Sequence, residues 1–452
     1  MQKSLFIILL TCFGFTSVAQ NLAPKPAKLP AGVSAATVER VVRALTADDM
    51  QGRASTQPGG LKAAQFLSAE FKRIGLQPIT GLAGFEQTFS VYETKPQTLA
   101  VTLNGAAVPA ENAAIASGQA QVNWSEADAT PARVVIVGAQ EANPMQTVRP
   151  LLALRENTLV LVDPAHRARF QQLAAYLRQG SVRPEQPGPN SCVVVLAPAP
   201  ADGKVTFQVK ATATVRPVEL RNVVGVLPGR SKDKAQAAEM VVFSGHYDHL
   251  GTIRPVAGDS IANGADDDAS GTTAVVALAE YFKKKKKNAR TLVFVAFAAE
   301  EIGGFGSQYF SKQVDPAKVA AMFNIEMIGK VAKFGPNTAF ITGYERSDFG
   351  KLLQQNLQGT PFRFEPDPYP EQNLFYRSDN ATLARLGVPA HTISTDQIPT
   401  DKLYHSVDDE VESLDLANMT AVITAIARSA TGIVAGQQTP QRIAPESVGQ
   451  RP

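Results

Sequence analysis

Residues 239–251 read EMVVFSGHYDHLG, and residues 291–307 read TLVFVAFAAEEIGGFGS. Each is a short apolar run, rich in Val and Phe, that stops abruptly at imidazole or carboxylate side chains. Short runs that are apolar on both faces fit strands buried inside a parallel sheet better than half-exposed ones. From Glu219 to about residue 435 such strands alternate with helical patterns, beginning with LRNVVGVLPG at 220–229. That alternation predicts an α/β fold, a mostly parallel, mixed sheet flanked by helices. In open sheets of this kind ligands bind beyond the carboxyl ends of the strands, which is where these runs turn polar.

Outward from this core the texture changes. Residues 33–76 show helical apolar spacing broken by a turn-rich stretch at 52–60, which predicts two helices and a loop. FEQTFSVYETKP (85–96) alternates like an edge strand and stops at Pro96, marking a boundary. Residues 97–216 carry short Val- and Ala-rich runs, RVVIVGAQ, NTLVLVD and SCVVVLAPAP, with one helical stretch, ARFQQLAAYLRQG. They predict a smaller β-rich inserted domain. At the start, MQKSLFIILLTCFGFTSVAQ has one Lys, a short apolar run and small residues before Gln20, the pattern of a cleaved signal peptide over 1–19. The expected divisions are therefore 1–19 signal peptide, 20–96 linker and N-terminal helical part, 97–216 insert, 217–436 main domain and 437–452 flexible tail. The mature chain is expected to be exported, either periplasmic or secreted.

Composition narrows the function. The 452 residues are 44% hydrophobic and 19% charged, enough apolar chain for two or three domains and against disorder. Lys and Arg total 44 against 41 Asp and Glu, a formal +3, so no strong field draws the chain to nucleic acid. No stretch after the leader approaches the roughly 18–20 apolar residues of a membrane span, so no stable membrane insertion is expected. Of two cysteines, Cys12 lies in the leader, which leaves Cys192 as a buried structural thiol and no intramolecular disulfide.

The chemistry lies at the strand ends. Among only five histidines, His246, His249 and His405 fall in polar loops beside apolar strands. NGADDDASG (263–271) sets three acids before a helix whose expected N-cap is Ser270; alone, such acids simply suit the helix dipole. Glu300 and Glu301, however, end a second strand, Glu326 sits inside the apolar AMFNIEMIG, and LYHSVDDE carries His405. Adjacent buried carboxylates repel unless a cation or proton compensates them. Imidazoles and carboxylates gathered at successive strand ends suit Zn²⁺ better than Ca²⁺ or Mg²⁺. The pattern predicts a metal site, binuclear, with a spare carboxylate as general base.

In this order SGHYDHLG, NGADDDASG, FAAEEIGGFGS, NIEMIG, YRSDN with GVPA, and YHSVDDE resemble the exported di-zinc aminopeptidases, relatives of glutamate carboxypeptidase II and glutaminyl cyclase. The resemblance covers about 219–435 and LTADDMQGR (45–53), and 97–216 resembles the protease-associated insert of that family. It implies two Zn²⁺ per chain. His246 and Glu326 would serve one ion, Glu301 and His405 the other, and Asp267 would bridge them. Asp248 would orient His246, Glu300 would act as general base, and Tyr404 would help stabilise the oxyanion. Many members carry Asp in place of Glu326, and the family has a cis peptide where Asp267 joins Asp268. Peptides with free N-termini are the implied substrates, the amine held by Glu300, Asp266 or a loop carbonyl. A carboxypeptidase would instead use Arg377, a glutaminyl cyclase would need one zinc, and a binding ectodomain none. His249 is expected to touch the ligand loop without being a ligand, and Asp379 to be a hydrogen-bond partner. His166, His391 and the solvated run Lys283–Lys287 are read as structural.

Overall fold

In the computed structural model, which describes residues 32–444, the two apolar runs lie side by side. Met240–His246 pairs in parallel with Thr291–Phe297, from Met240 opposite Thr291 to His246 opposite Phe297. On its other side it pairs in parallel with Val319–Ile325, which in turn pairs in parallel with Ala390–Ser394. These four strands present their carboxyl ends along one edge. Antiparallel neighbours, Phe207–Leu227 beside Thr291–Phe297 and Thr338–Ile341 beside Ala390–Ser394, make the twelve-stranded sheet mixed with a parallel centre.

Side-chain burial explains the centre. Val241, Val242, Phe243 and the run 292–297 are buried on both faces. Phe243 stacks on Phe294 and Phe323, with centroids 5.5 and 4.9 Å apart, and burying each such ring contributes roughly 1.5–3 kcal/mol. The helices Ala35–Leu45, Pro58–Ile74, Gly271–Lys285 and Leu416–Ser429 pack one face. Phe310 of Phe305–Gln313, with Leu383 and Ala384, packs the other. Lys284–Lys287 are exposed where Gly271–Lys285 ends, with Lys286 in the left-handed conformation. Among the described residues no helix is long and apolar enough to cross a membrane.

The insert hangs on a ribbon. Glu86–Leu103 and Phe207–Leu227 pair antiparallel from Glu86 opposite Val223 to Leu103 opposite Phe207. The residues where texture marked boundaries lie within this ribbon, Arg216 pairing with Glu93. The first strand does not stop at Pro96: a register shift opposite Thr212/Ala213 skips Gln97 and carries the pairing on. An irregularity of this sort is where a strand tolerates a proline. Beyond it, Ala113–Ser117, Ser191–Leu196, Thr158–Val162 and Arg133–Val137 form a four-stranded sheet, with helix Arg167–Gln179 against it. Cys192 is buried in its core, where burial pushes the thiol up to about 12.

One local expectation is corrected. Ser270 precedes the helix but does not cap it, because its Oγ donates to the Asp266 carbonyl and accepts from Ile328 N–H. Within residues 437–444 only Pro440 and Ile443 are buried, and most of the others are exposed. The nearly buried Arg290 draws Gln438 O and Thr439 Oγ1 onto its guanidinium. Residues 1–31, which include the expected signal peptide, and residues 445–452 lie outside the described residues.

Candidate metal centre

The parallel edge delivers the polar residues to one place. His246 is the last residue of its strand, Glu326 directly follows Ile325, and Glu300 and Glu301 lie in the turn after Phe297. Asp267 comes from the irregular turn Ala265–Ser270, and the peptide joining it to Asp268 is cis. His405 lies in the loop after Ala390–Ser394. Ala299, Met327 and His405 all have positive φ without being glycine. Such residues cost roughly 1–3 kcal/mol each and cluster at functional sites.

Asp267 sits in the middle. Its Oδ1 is 3.2 Å from His246 Nε2, and its Oδ2 is 3.2 Å from His405 Nε2. His246, Asp267 and Glu326 bring ligand atoms within 4.8 Å of one another, and so do His249, Asp267 and Glu301. His405 Nε2 is also 3.2 Å from Glu301 Oε2. The five residues expected to hold metal thus converge around one carboxylate. Asp248 meets His246 Nδ1 twice, with its backbone carbonyl at 3.1 Å and its carboxylate at 3.7 Å. The carboxylate accepts Glu300 N–H at 3.1 Å, so Asp248 links the first ligand turn to the second.

His249 is closer than its expected role. Its Nδ1 lies 2.7 Å from Glu301 Oε1 and 3.8 Å from Asp267 Oδ2. The available signal was a third histidine in a polar strand-end loop of a histidine-poor chain. The acids beside Asp267 also have separate tasks. Asp268 accepts from His246 N–H, Gly271 N–H and Met327 N–H. Asp266, considered for holding a substrate amine, is fully buried and takes Gly329 N–H at 2.7 Å and Lys330 Nζ at 3.3 Å. Asp409 accepts the N–H groups of Asp266 and Asp267. A third carboxylate group, Asp266, Asp396 and Asp401, already has a cation beside it, since Lys330 Nζ is 2.6 Å from Asp401 Oδ2.

Electrostatics marks the same place. Burial holds the Glu300 carboxyl well above the usual range, with Glu326, Asp379 and Glu301 adding to it. Burial lifts Glu326 to about 7. For His405 burial opposes the proton, but Asp267 and Glu301 outweigh it and hold the imidazole up to about 10. Four carboxyl groups, Asp267, Glu300, Glu301 and Glu326, are crowded here against three imidazoles. His246 Nε2, His249 Nε2 and Glu326 Oε2 are buried with no hydrogen bond among the described residues, a rare condition for buried polar atoms. Imidazole and carboxylate ligand atoms crowded together with unused lone pairs fit a divalent cation, and the N/O set fits zinc.

A cavity of about 370 Å³ opens on this cluster, lined by Asp267, Glu300, Glu326, Arg377, Tyr404 and His405 and walled by Phe340, Leu374 and Ile398. The Tyr404 ring stacks on His405 at 3.9 Å, and its hydroxyl is 3.5 Å from Arg377 Nη2. Burial raises the phenol above its ordinary value, so it stays protonated. Asp379 is buried close enough to raise Glu300. The remaining histidines lie elsewhere. His391 is bonded to Thr342 O and Ser347 Oγ in the core, and His166 meets Gly138 O in the insert.

Residues 222–430 match the model of peptidase family M28. A probable zinc metalloprotease of Pyrenophora teres f. teres is 39% identical over 115 residues, 25% of this chain and 23% of that protein. Leucine aminopeptidase 1 of Penicillium rubens is 28% identical over 216 residues, 44% of this chain and 52% of that one. The chain thus spans about half or less of the length of these curated relatives. The solved structure of an aminopeptidase from Aneurinibacillus sp. strain AM-1 shares the fold, with a TM-score of 0.55 at 18% identity over 92% of this chain and 97% of that chain. His246, Asp267, Glu300, Glu301, Glu326 and His405 all fall within this matched stretch and meet at one edge of its sheet, so the likeness of residues 222–430 to peptidase family M28 takes in the whole centre.

Proposed function

We propose that the chain is an exported zinc aminopeptidase that removes N-terminal residues from peptides at a centre of two zinc ions. His246 and Glu326 would hold one ion, Glu301 and His405 the other, and Asp267 both. The observation that carries this reading is the disposition of Asp267, whose two oxygens face two different imidazoles at the same 3.2 Å. Glu300 lines the cavity and belongs to neither ligand group. The names of the two curated relatives, a zinc metalloprotease and a leucine aminopeptidase, support the same reaction class.

Bound zinc polarises a carbonyl and makes water acidic near neutral pH. The residues of the chain do the rest. Glu300 as the carboxylate, made more basic by its burial, takes the proton of the attacking water and returns it to the leaving amine. Tyr404 keeps its phenolic proton and can donate a hydrogen bond to the developing oxyanion. The apolar wall of Phe340, Leu374 and Ile398 offers space for a side chain next to the scissile bond. Residues 1–19 act in this reading as a cleaved leader, and 97–216 as a protease-associated insert.

The test is a panel of aminoacyl-p-nitroanilides beside the same compounds with blocked N-termini, with chelator and with zinc restored. Chelator-sensitive cleavage confined to free N-termini is expected. Cleavage only from a free C-terminus would make the enzyme a carboxypeptidase with Arg377 as its clamp. No hydrolysis by zinc-loaded protein would overturn the peptidase reading.

A further inference from the structure

The N-terminal segment that precedes the insert carries a side chain whose environment the proposed chemistry does not use. Arg53 is fully buried, and its guanidinium donates to four backbone carbonyls. Nε reaches Tyr247 O at 2.7 Å, Nη1 reaches Leu45 O and Asn263 O at 2.8 and 2.5 Å, and Nη2 reaches Gly264 O at 2.9 Å. Tyr247 follows the ligand His246, and Asn263 and Gly264 lead into the turn that carries Asp267. Two residues on, Ser55 Oγ accepts Ala299 N–H at 2.8 Å, directly before Glu300 and Glu301. Asp48 Oδ1 accepts from Asn263 Nδ2 at 3.1 Å. One short segment therefore touches three of the turns that bear the site.

The backbone is bent to make this reach. Gln51, Gly52 and Arg53 have φ of 51°, 63° and 53°, three successive left-handed residues, and a Cβ on Gly52 would lie 2.5 Å from Ala262 O. Residues held in such conformations persist when the surroundings over-determine them, and they mark sites where geometry matters. A guanidinium is a suitable centre because it stays charged and its planar fork offers five donors in fixed directions. Burial lowers Arg53 only to about 10, and Asp409, Asp248, Asp267 and Asp268 help to keep it charged.

We propose that the segment Asp48–Ser55, with Arg53 at its centre, is a strap that positions the His246, Asp267 and Glu300–Glu301 turns for metal binding. This rests on the reading of the centre as a zinc site. Arg53 is a positioning residue in this account, acting through backbone carbonyls and not on substrate.

The test measures zinc affinity by competition with a chromophoric chelator, together with kcat and KM, for Arg53→Lys, Arg53→Met and Ser55→Ala. Leu67→Ala, which opens a cavity in the fully buried core of the neighbouring helix, is the control for lost stability alone. Partners that orient ligands typically change metal affinity by about 10–100-fold. Both Arg53 variants are expected to bind zinc weaker by that factor, with kcat falling and KM within about twofold. Ser55→Ala is expected to lose a few-fold, and Leu67→Ala to melt earlier at wild-type zinc affinity. Wild-type affinity in the Arg53 variants, or a loss that Leu67→Ala reproduces, overturns the proposal. If both Arg53 variants fail to fold, Ser55→Ala decides it, and unchanged affinity there overturns it. Wild-type protein that binds no zinc would sink the zinc reading itself, an outcome separate from either.

Discussion

The described residues form two sheets with parallel strands, and one of these ends in the candidate site. In the insert, Thr158–Val162 runs into Asp163, whose Oδ1 accepts Ala165 N–H at 2.9 Å and closes a local turn. Nearby His166 meets Gly138 O. In the main sheet the residues at the strand ends turn toward one another, leaving His246 Nε2 and Glu326 Oε2 buried with no hydrogen bond among the described residues. A polar residue after an apolar strand is therefore not in itself a sign of function. What distinguishes the second case is that several strand ends converge and their polar atoms are not satisfied locally.

The sharpest way to break that contrast is Glu300→Gln. Loss of a general base at constant shape is expected to lower kcat by roughly 10²–10⁴ while zinc content stays at the wild-type level; steady-state kinetics with metal analysis checks both. Phe243→Ala acts on what the site stands on. It removes a ring stacked on Phe294 and Phe323 and is expected to cost about 3–5 kcal/mol in urea unfolding. His249→Ala removes the 2.7 Å contact to Glu301 and is expected to weaken zinc by about 10–100-fold without lowering the full-occupancy stoichiometry. His405→Ala, by contrast, should lose an ion outright, and equal behaviour of the two variants would exchange their roles.

His391 lies in the main sheet but is satisfied as insert residues are, by Thr342 O and Ser347 Oγ. Burial depresses its pKa to about 4 from an ordinary 6.5. Between those values the unfolded chain binds a proton that the folded chain refuses. The contribution is thus full above about pH 6.5 and is lost as pH falls toward 4. Replacing it by Gln is expected to shrink the stability difference between pH 7.5 and pH 5 by ~2 kcal/mol, and an unchanged difference would show that His391 does not titrate in this way. The smallest effect is expected in the insert, where Asp163→Ala removes one turn hydrogen bond. It should cost about 1 kcal/mol in the same unfolding assay and leave kcat unaltered.

Much of the centre was legible because strand, turn and ligand are adjacent in the chain. A run such as MVVFSGH states both its burial and where it ends, and the acidic clusters, Glu326 and His405 follow similar signals, while the choice of Asp267 and Glu301 among their neighbours came from the resemblance. Contacts that join distant segments were not legible. Asp409 holding the Asp267 turn, Lys330 holding Asp266, and Arg53 reaching Tyr247 from far upstream depend on packing that no local pattern encodes. Pro96 misled for a related reason, since a strand can pass through proline where the pairing skips a residue, and a skip is a property of two strands. The contacts of Gln438 and Thr439 depend in the same way on a buried arginine at position 290.

The account rests on two cations flanking one carboxylate, and anomalous scattering at the zinc edge from crystals of the zinc-loaded protein tests this most directly. Two peaks are expected, about 3.5–4 Å apart, one beside His246 and Glu326 and one beside Glu301 and His405, with Asp267 between them. A single peak, or density at Asp266, Asp396 and Asp401 in place of these, would contradict it.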